Sequence, residues 1–283
     1  MISALEERDL EGAAALLAQE GWTFTSRELA RVLATGPGLS VKAEGGGALT
    51  GMVMVARHGA LAWIGNVVVA PDQRGQGLGE GLVQAALARI DAAGLGTTKL
   101  CSVPKAQTLY ARLGFRPEGD VHTWGKFHDR PTRRPVEAEV LLPHHLAELA
   151  ALDRRAFGAD RRALLELLLR DYPDTGVGVR EADKLVGYAF LKHGAEGSEL
   201  GPMVMGEPSP ALAAQLLDGA LGFRLQGGAA SIECTMPADH PWMAWLLEDR
   251  GFAYRDPKHR MVRGQALDQD WLACALLGGL EKG

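Results

Sequence analysis

Residues 67–82 read VVVAPDQRGQGLGEGL, three valines running into a proline and then glycine at every second position from Gly75 to Gly81. An α-helix begins with backbone N–H groups that have no intrahelical acceptor and with a partial positive charge, a combination that suits a phosphate. Phosphate oxygens reach those groups only where side chains stay clear. Glycine supplies that clearance and the unusual dihedrals a cradle needs. Gly75 to Gly81, between a strand and a helix, is therefore a candidate anion cradle, with Arg74 able to add charge from the side. A Walker loop would need Gly-Lys-Ser/Thr at its end, and none is present. A dinucleotide fingerprint would need G-x-G-x-x-G after the first strand of a parallel unit; here the spacing is G-x-G-x-G, after about the fourth strand of an antiparallel meander.

The elements that must position this stretch lie on either side of it. Glu6 to Gly21 carries a helical apolar stripe, and Ser26 reads as the N-cap of a second helix through about Ala34. LSVKAE, ALTGMVMVARHG and ALAWIGNVVVAP are apolar or β-branched runs joined by glycine turns, which predict three antiparallel strands. Gly77 to Ala93 predicts a helix, TTKLCSV a strand, Ala106 to Leu113 a short helix and Phe115 to Phe127 further strand. HDRPTRRP, residues 128–135, is polar and holds two prolines, so it reads as a linker.

Beyond the linker the pattern starts again. Leu49-Thr50-Gly51 matches Leu185-Val186-Gly187, Ile64-Gly65 matches Leu200-Gly201, CSVP (101–104) matches CTMP (234–237), and LYARLGF (109–115) matches LLEDRGF (246–252). Matches in one order imply two copies of one α/β domain. The expected layout is a domain over 1–127, the linker 128–135, a second domain over 136–265 and a tail over 266–283 with an apolar helix from Trp271 to Leu280. With 283 residues, the chain is long enough for two cores. A net charge of -5 gives no electrostatic footprint for nucleic acid, and no apolar run reaches a membrane span. Three widely spaced cysteines argue against a disulfide framework or a zinc site. A cytoplasmic protein with no metal is the expectation.

Arg74-Gly75-Gln76-Gly77-Leu78-Gly79 resembles the R/Q-x-x-G-x-G/A loop of the GCN5-related N-acetyltransferases (GNATs), and AQTLYARLGF from Ala106 resembles their A-x-x-L-Y-x-x-x-G-F segment. The resemblance implies an α/β (α+β) fold: two tandem GNAT-like domains, each a mixed, mostly antiparallel twisted sheet flanked by helices. It implies acetyl-CoA as cosubstrate, its pyrophosphate on the loop. It implies Tyr110 as the general acid that protonates the departing thiolate. Val67, Val68 and Val69 would offer backbone groups to the pantetheine arm where the fourth and fifth strands splay, one N–H polarising the thioester carbonyl. The implied reaction is direct attack by a primary amine of a small molecule or peptide. Relatives often place Asn or Asp before the tyrosine helix, where this chain has Ser102-Val103-Pro104.

No residue declares itself as general base. His58, Asp120 and His122 qualify by rough location, and Asn66 sits in a suitable strand but cannot take a proton from an ammonium. Trp63 and Trp124 are candidates to line an acceptor cleft, and Arg161, in the charged cluster from Asp153 to Arg162, to bind an acidic group. The second copy has EPSPALAAQLL where the cradle should be and Leu247 at the tyrosine position, so it has lost both chemical parts. Residues 136–262 resemble the C-terminal domain fused to many bacterial acetyltransferases. The competing readings are a non-catalytic acyl-CoA sensor or interaction protein, and a tandem aminoacyl transferase using charged tRNA, against which the acidic balance counts. A homodimer is compatible with everything above.

Overall fold

The computed structural model describes residues 1–127, 137–194, 197–222 and 231–283; the expected linker, 128–135, lies outside them. The chain divides into two compact units. The first comprises Met1–Glu118, Arg260–Ala266 and Leu280–Gly283, and the second Gly119–His259 and Leu267–Gly279.

In the first unit the elements run β1 (Ile2–Ala4), α1 (Leu10–Ala18), α2 (Ser26–Thr35), β2 (Val41–Gly45), β3 (Ala48–His58), β4 (Leu61–Val69), α3 (Leu78–Ala92), β5 (Thr97–Ser102) and α4 (Gln107–Arg112). The cap of α2 falls on Thr25 rather than Ser26: Thr25 Oγ1 accepts from the Glu28 N–H (3.2 Å), and Glu28 accepts from the Thr25 N–H (2.7 Å). That reciprocal box needs an acidic residue three places on, which Ser26 lacks. The strands form a sheet in the order β1-β2-β3-β4-β5, antiparallel up to β4. β4 and β5 are parallel, Leu61–Ile64 against Thr97–Leu100, because α3 carries the chain back across one face. Leu82, Val83, Ala86, Leu87 and Ile90 recur at helical spacing on α3 and bury against Val53, Val55, Ala62, Ile64 and Leu100. Residues 260–266 add to the same unit, with the Gln265 N–H bonded to the Gly96 carbonyl (3.2 Å) and Thr97 Oγ1 donating to the Gln265 carbonyl (2.9 Å).

The second unit takes up the chain within β6 (Arg116–Phe127), then β7 (Glu139–Val140), α5 (Leu146–Phe157), α6 (Arg162–Asp171), β8 (Gly176–Glu181), β9 (Lys184–His193), β10 (Ser198–Met205), α7 (Pro210–Leu221), β11 (Ser231–Pro237), α8 (Met243–Glu248), β12 (Ala253–Gly264) as far as His259, and β13 (Cys274–Leu276). It repeats the local plan of the first: β10 and β11 are parallel over Ser198–Leu200 and Ile232–Cys234, with α7 as the crossover. The expected helix from Trp271 to Leu280 is not a helix. β13 pairs antiparallel with β10, the Met205 N–H bonds the Ala273 carbonyl (2.9 Å) and the Leu277 N–H bonds the Thr235 carbonyl of β11 (2.9 Å). Ala273 to Leu277 are buried all round, so their backbone groups need partners, and the two strands supply them.

Arg161 is also spent inside this unit. It is 2% exposed, donates to Asp153 through Nε (3.1 Å) and Nη2 (2.5 Å), and lies 3.7 Å from the Phe157 ring; the Tyr188 hydroxyl donates to the same carboxylate (2.5 Å). Burial, the largest single effect, pulls the Arg161 guanidinium down, but the Asp153 charge, its hydrogen bond and the neighbouring Tyr188 and Cys274 together hold it above its ordinary value. This guanidinium is therefore engaged in a buried ion pair.

Candidate functional site

β4 loses its parallel partner after Ile64, while it continues to Val69 against β3. At the same point the β3–β4 register breaks: Met52 faces Val68 and Met54 faces Gly65, so Asn66 and Val67 together oppose Val53. This is a β-bulge, and Asn66 carries it in left-handed backbone (φ 47°). Val67 and Val69 turn their side chains to the α3 core and Val68 is buried. The opened edge of β4 thus begins where the valine run begins.

The chain then turns through Pro71–Gln73 into the glycine loop. Gly75 (φ 77°) and Gly77 (φ 79°) are both left-handed, and a Cβ at either would stand in open space with no atom within 4 Å. Gly77 is the N-cap of α3, and the first helical bond runs from the Gly81 N–H to the Gly77 carbonyl (3.0 Å). The amides of Leu78, Gly79 and Glu80 consequently have no intrahelical acceptor, and a glycine cap has no side chain to give them one. Arg74 sits otherwise than as a free flanking charge: its Nε donates to the Val69 carbonyl (2.9 Å) and its Nη2 pairs with the Glu20 carboxylate. It braces the loop against the end of β4 while remaining half-exposed.

Tyr110 lies on α4, 6% exposed, in the α3 core cluster, with the Phe115 ring edge-on at 5.9 Å. Burial pushes its phenol up to about 12. Ser102 is buried, and its hydroxyl donates to the Val103 carbonyl (2.8 Å). His58 is fully buried, and its Nε2 donates to the Lys282 carbonyl (2.7 Å), which leaves it no route to an acceptor amine. Asp120 and His122 belong to the second unit, where Asp120 meets His259 Nδ1 (2.7 Å) and His122 stacks edge-on with Tyr254. Trp63 is buried in the first unit and Trp124 in the core of the second.

Sequence reasoning missed the segment Leu280–Gly283. It lies against β4: the Trp63 indole Nε1 donates to the Leu280 carbonyl (2.9 Å), and a Cβ on Gly65 would stand 2.4 Å from Glu281 Cα. In the second unit Gly201, the counterpart of Gly65 in the repeat, faces the same constraint, since its Cβ would stand 2.1 Å from the Leu277 carbonyl oxygen. The matched Ile64-Gly65 and Leu200-Gly201 pairs were the available signal. Where the first unit has its glycine loop, the second has Ser209, whose Oγ accepts from the Leu212 N–H (3.1 Å), followed by Pro210 at the first helical position. Residues 273–277 bond to both β10 and β11. Among the described residues no group of three His, Cys, Asp or Glu is placed to hold a metal ion, and no helix is long and apolar enough to cross a membrane.

A parallel strand pair that opens after a few residues, a helix crossover capped by bare amides and the same plan repeated once define a tandem acyltransferase-type fold. Two family models, each described as an acetyltransferase (GNAT) domain, match residues 38–117 and 149–273. The chain belongs to the GNAT superfamily and carries two GNAT domains in tandem. It is 25% identical over 252 residues to the uncharacterized N-acetyltransferase YitH of Bacillus subtilis (strain 168), a match covering 88% of this chain and 86% of that one. A candidate acetyltransferase from Pyrococcus horikoshii has the same fold, with a TM-score of 0.83, 20% identity and coverage of 100% of this chain and 95% of the other. A tandem GNAT protein from the clavulanic acid biosynthesis pathway aligns with a TM-score of 0.65 and 15% identity over 93% of this chain and 98% of that chain. The protein is thus a GNAT-family relative of N-acetyltransferases.

Proposed function

We propose that the protein moves an acetyl group from acetyl-CoA to a primary amine by direct attack, with the chemistry in its first unit and residues 1–127 supplying the reacting groups. The start of α3 carries this reading. Two left-handed glycines leave open space in front of three amides without intrahelical acceptors, which is the surface a diphosphate needs. Gly75, Gln76, Gly77, Leu78 and Gly79 would hold the diphosphate, with Arg74 fixing the loop and adding charge. The opened edge of Val67–Val69 would pair with the pantetheine arm as an added strand, and one N–H there would polarise the acyl carbonyl. When bound, the thioester supplies the acetyl carbon and a thiol leaving group. Tyr110 holds a proton on its hydroxyl throughout the neutral range because burial opposes the phenolate. It gives that proton to the sulfur as the C–N bond forms and the C–S bond breaks, the amine sheds its surplus proton to water, and the phenol recovers one from solvent.

The second unit is proposed to lack acyl transfer. Its helix start is capped by Ser209, Leu247 stands in place of the tyrosine, and residues 273–277 occupy the partners along β10 and β11 that an added arm would use. Calorimetric titration of the full chain with acetyl-CoA should give one site per chain, abolished by Gly77→Glu. Two sites, or normal binding by the variant, would overturn the assignment. A panel of primary amines, followed by thiol release, would then define the acceptor.

A further inference from the structure

We propose that Asn66 is the residue that receives the acceptor's amine, an inference that rests on the first unit being the acetyltransferase. Two unfavourable features meet at this one residue. Its backbone is left-handed (φ 47°), a region in which a side chain crowds the following carbonyl. The residue is 8% exposed, the carboxamide oxygen Oδ1 is buried with no hydrogen-bond partner, and the carboxamide nitrogen makes no hydrogen bond among the described residues. Glycine would relieve the first feature and an apolar residue the second, so the fold needs neither. Residues kept in sparsely populated backbone, and buried polar atoms left unpaired, concentrate where a ligand completes them.

The location narrows the ligand. Asn66 is the bulge residue of β4, immediately before Val67, at the point where β5 has stopped pairing. If a Val67–Val69 amide holds the acyl carbonyl, the group beside it on the nucleophile's path is this carboxamide. An oxygen acceptor there fits an N–H donor. A neutral primary amine has two N–H bonds and one lone pair; donating one N–H to Oδ1 leaves the lone pair free to attack. Asn66 takes no proton at any stage, so it is a substrate-positioning residue and not the base. A hydroxyl acceptor has a single O–H and could not both donate it to Oδ1 and surrender it to a base, so the geometry selects amines.

The test uses the full chain with Asn66→Gly and Asn66→Asp, acetyl-CoA, and butylamine, benzylamine and 1,4-diaminobutane as probes. Both variants should bind acetyl-CoA within about twofold of the native chain, since no diphosphate contact changes. Asn66→Gly should melt about 2–4 °C higher, the backbone conflict being gone. Its kcat/KM for the amine should fall about tenfold to a hundredfold, the range of one hydrogen bond, chiefly through KM. Asn66→Asp, which keeps an oxygen acceptor, should retain more of the rate than Asn66→Gly. An unchanged amine rate in Asn66→Gly, a lower melting temperature in that variant, or coenzyme binding by the native chain with no turnover of any probe would each overturn the proposal. Failure of the native chain to bind acetyl-CoA would instead remove the reading beneath it.

Discussion

Gly77 and Gly94 bracket α3 and make a controlled experiment. Both are left-handed, at φ 79° and φ 69°, and at both a Cβ would project into open space. An alanine at either therefore meets the same backbone penalty, about 1–2 kcal/mol, and no packing conflict. Each variant should lose about 2–4 °C of melting temperature for every kcal/mol. Only Gly77 stands before the unpaired amides, so Gly77→Ala alone should weaken acetyl-CoA, by about tenfold to a hundredfold for one charge-assisted bond lengthened or lost. Gly77→Glu adds a carboxylate beside the diphosphate. At ~4 Å and an effective dielectric near 20, a single like-charge pair costs about 4 kcal/mol, close to a thousandfold in affinity. Calorimetry on the four proteins, with melting curves from the same preparations, reads both effects. If Gly77→Ala and Gly94→Ala bind acetyl-CoA equally, the amides of α3 do not hold the diphosphate and the reasoning fails.

Further outcomes follow from the same geometry. Tyr110→Phe should lower kcat about a hundredfold or more while leaving acetyl-CoA affinity within about twofold; an unchanged turnover removes the acid role. Because the phenol loses its proton only as pH rises through about 12, no alkaline fall in kcat below about pH 10 should disappear in Tyr110→Phe. Gly65→Ala would drive a Cβ to within 2.4 Å of Glu281 Cα, so it should release residues 280–283, cost about 1–3 kcal/mol in denaturant unfolding and speed exchange of the Trp63 indole proton. Arg161→Leu strands the Asp153 carboxylate and should cost about 3–5 kcal/mol without changing acetyl-CoA affinity; a small cost would mean that the pair is not sealed from water.

What the sequence could show was what depends on near neighbours. The three antiparallel strands β2 to β4, the helix starting at Gly77 and the internal repeat all follow from spacing and turn residues over a few positions, and the structure contains each. The misreadings involve partners far along the chain. Ala273 to Leu277 read as an apolar helix because a short fully buried run has no period to tell strand from helix, and its hydrogen bonds come from β10 and β11. The bulge at Asn66 was hidden inside a continuous run of strand formers, with only the Gly65-Asn66 pair hinting at a break. Arg161 read as a candidate for binding an acidic group because Asp153 and Tyr188 meet it only in the fold. At the candidate site the loop and tyrosine were legible, whereas the bracing of Arg74 by Glu20 and the approach of Glu281 to Gly65 were not.

The first unit is finished by residues 260–266 and 280–283, which lie far along the chain from its main segment, Met1–Glu118. A nascent chain that has emitted everything through β5 therefore holds a sheet with a bare edge, and must keep it from pairing wrongly until residues 260–266 have been made. Neither half is a portable cassette. Cutting the gene between the repeats would leave the leading piece without residues 260–266 and 280–283, which gives the two repeats a reason to be inherited together.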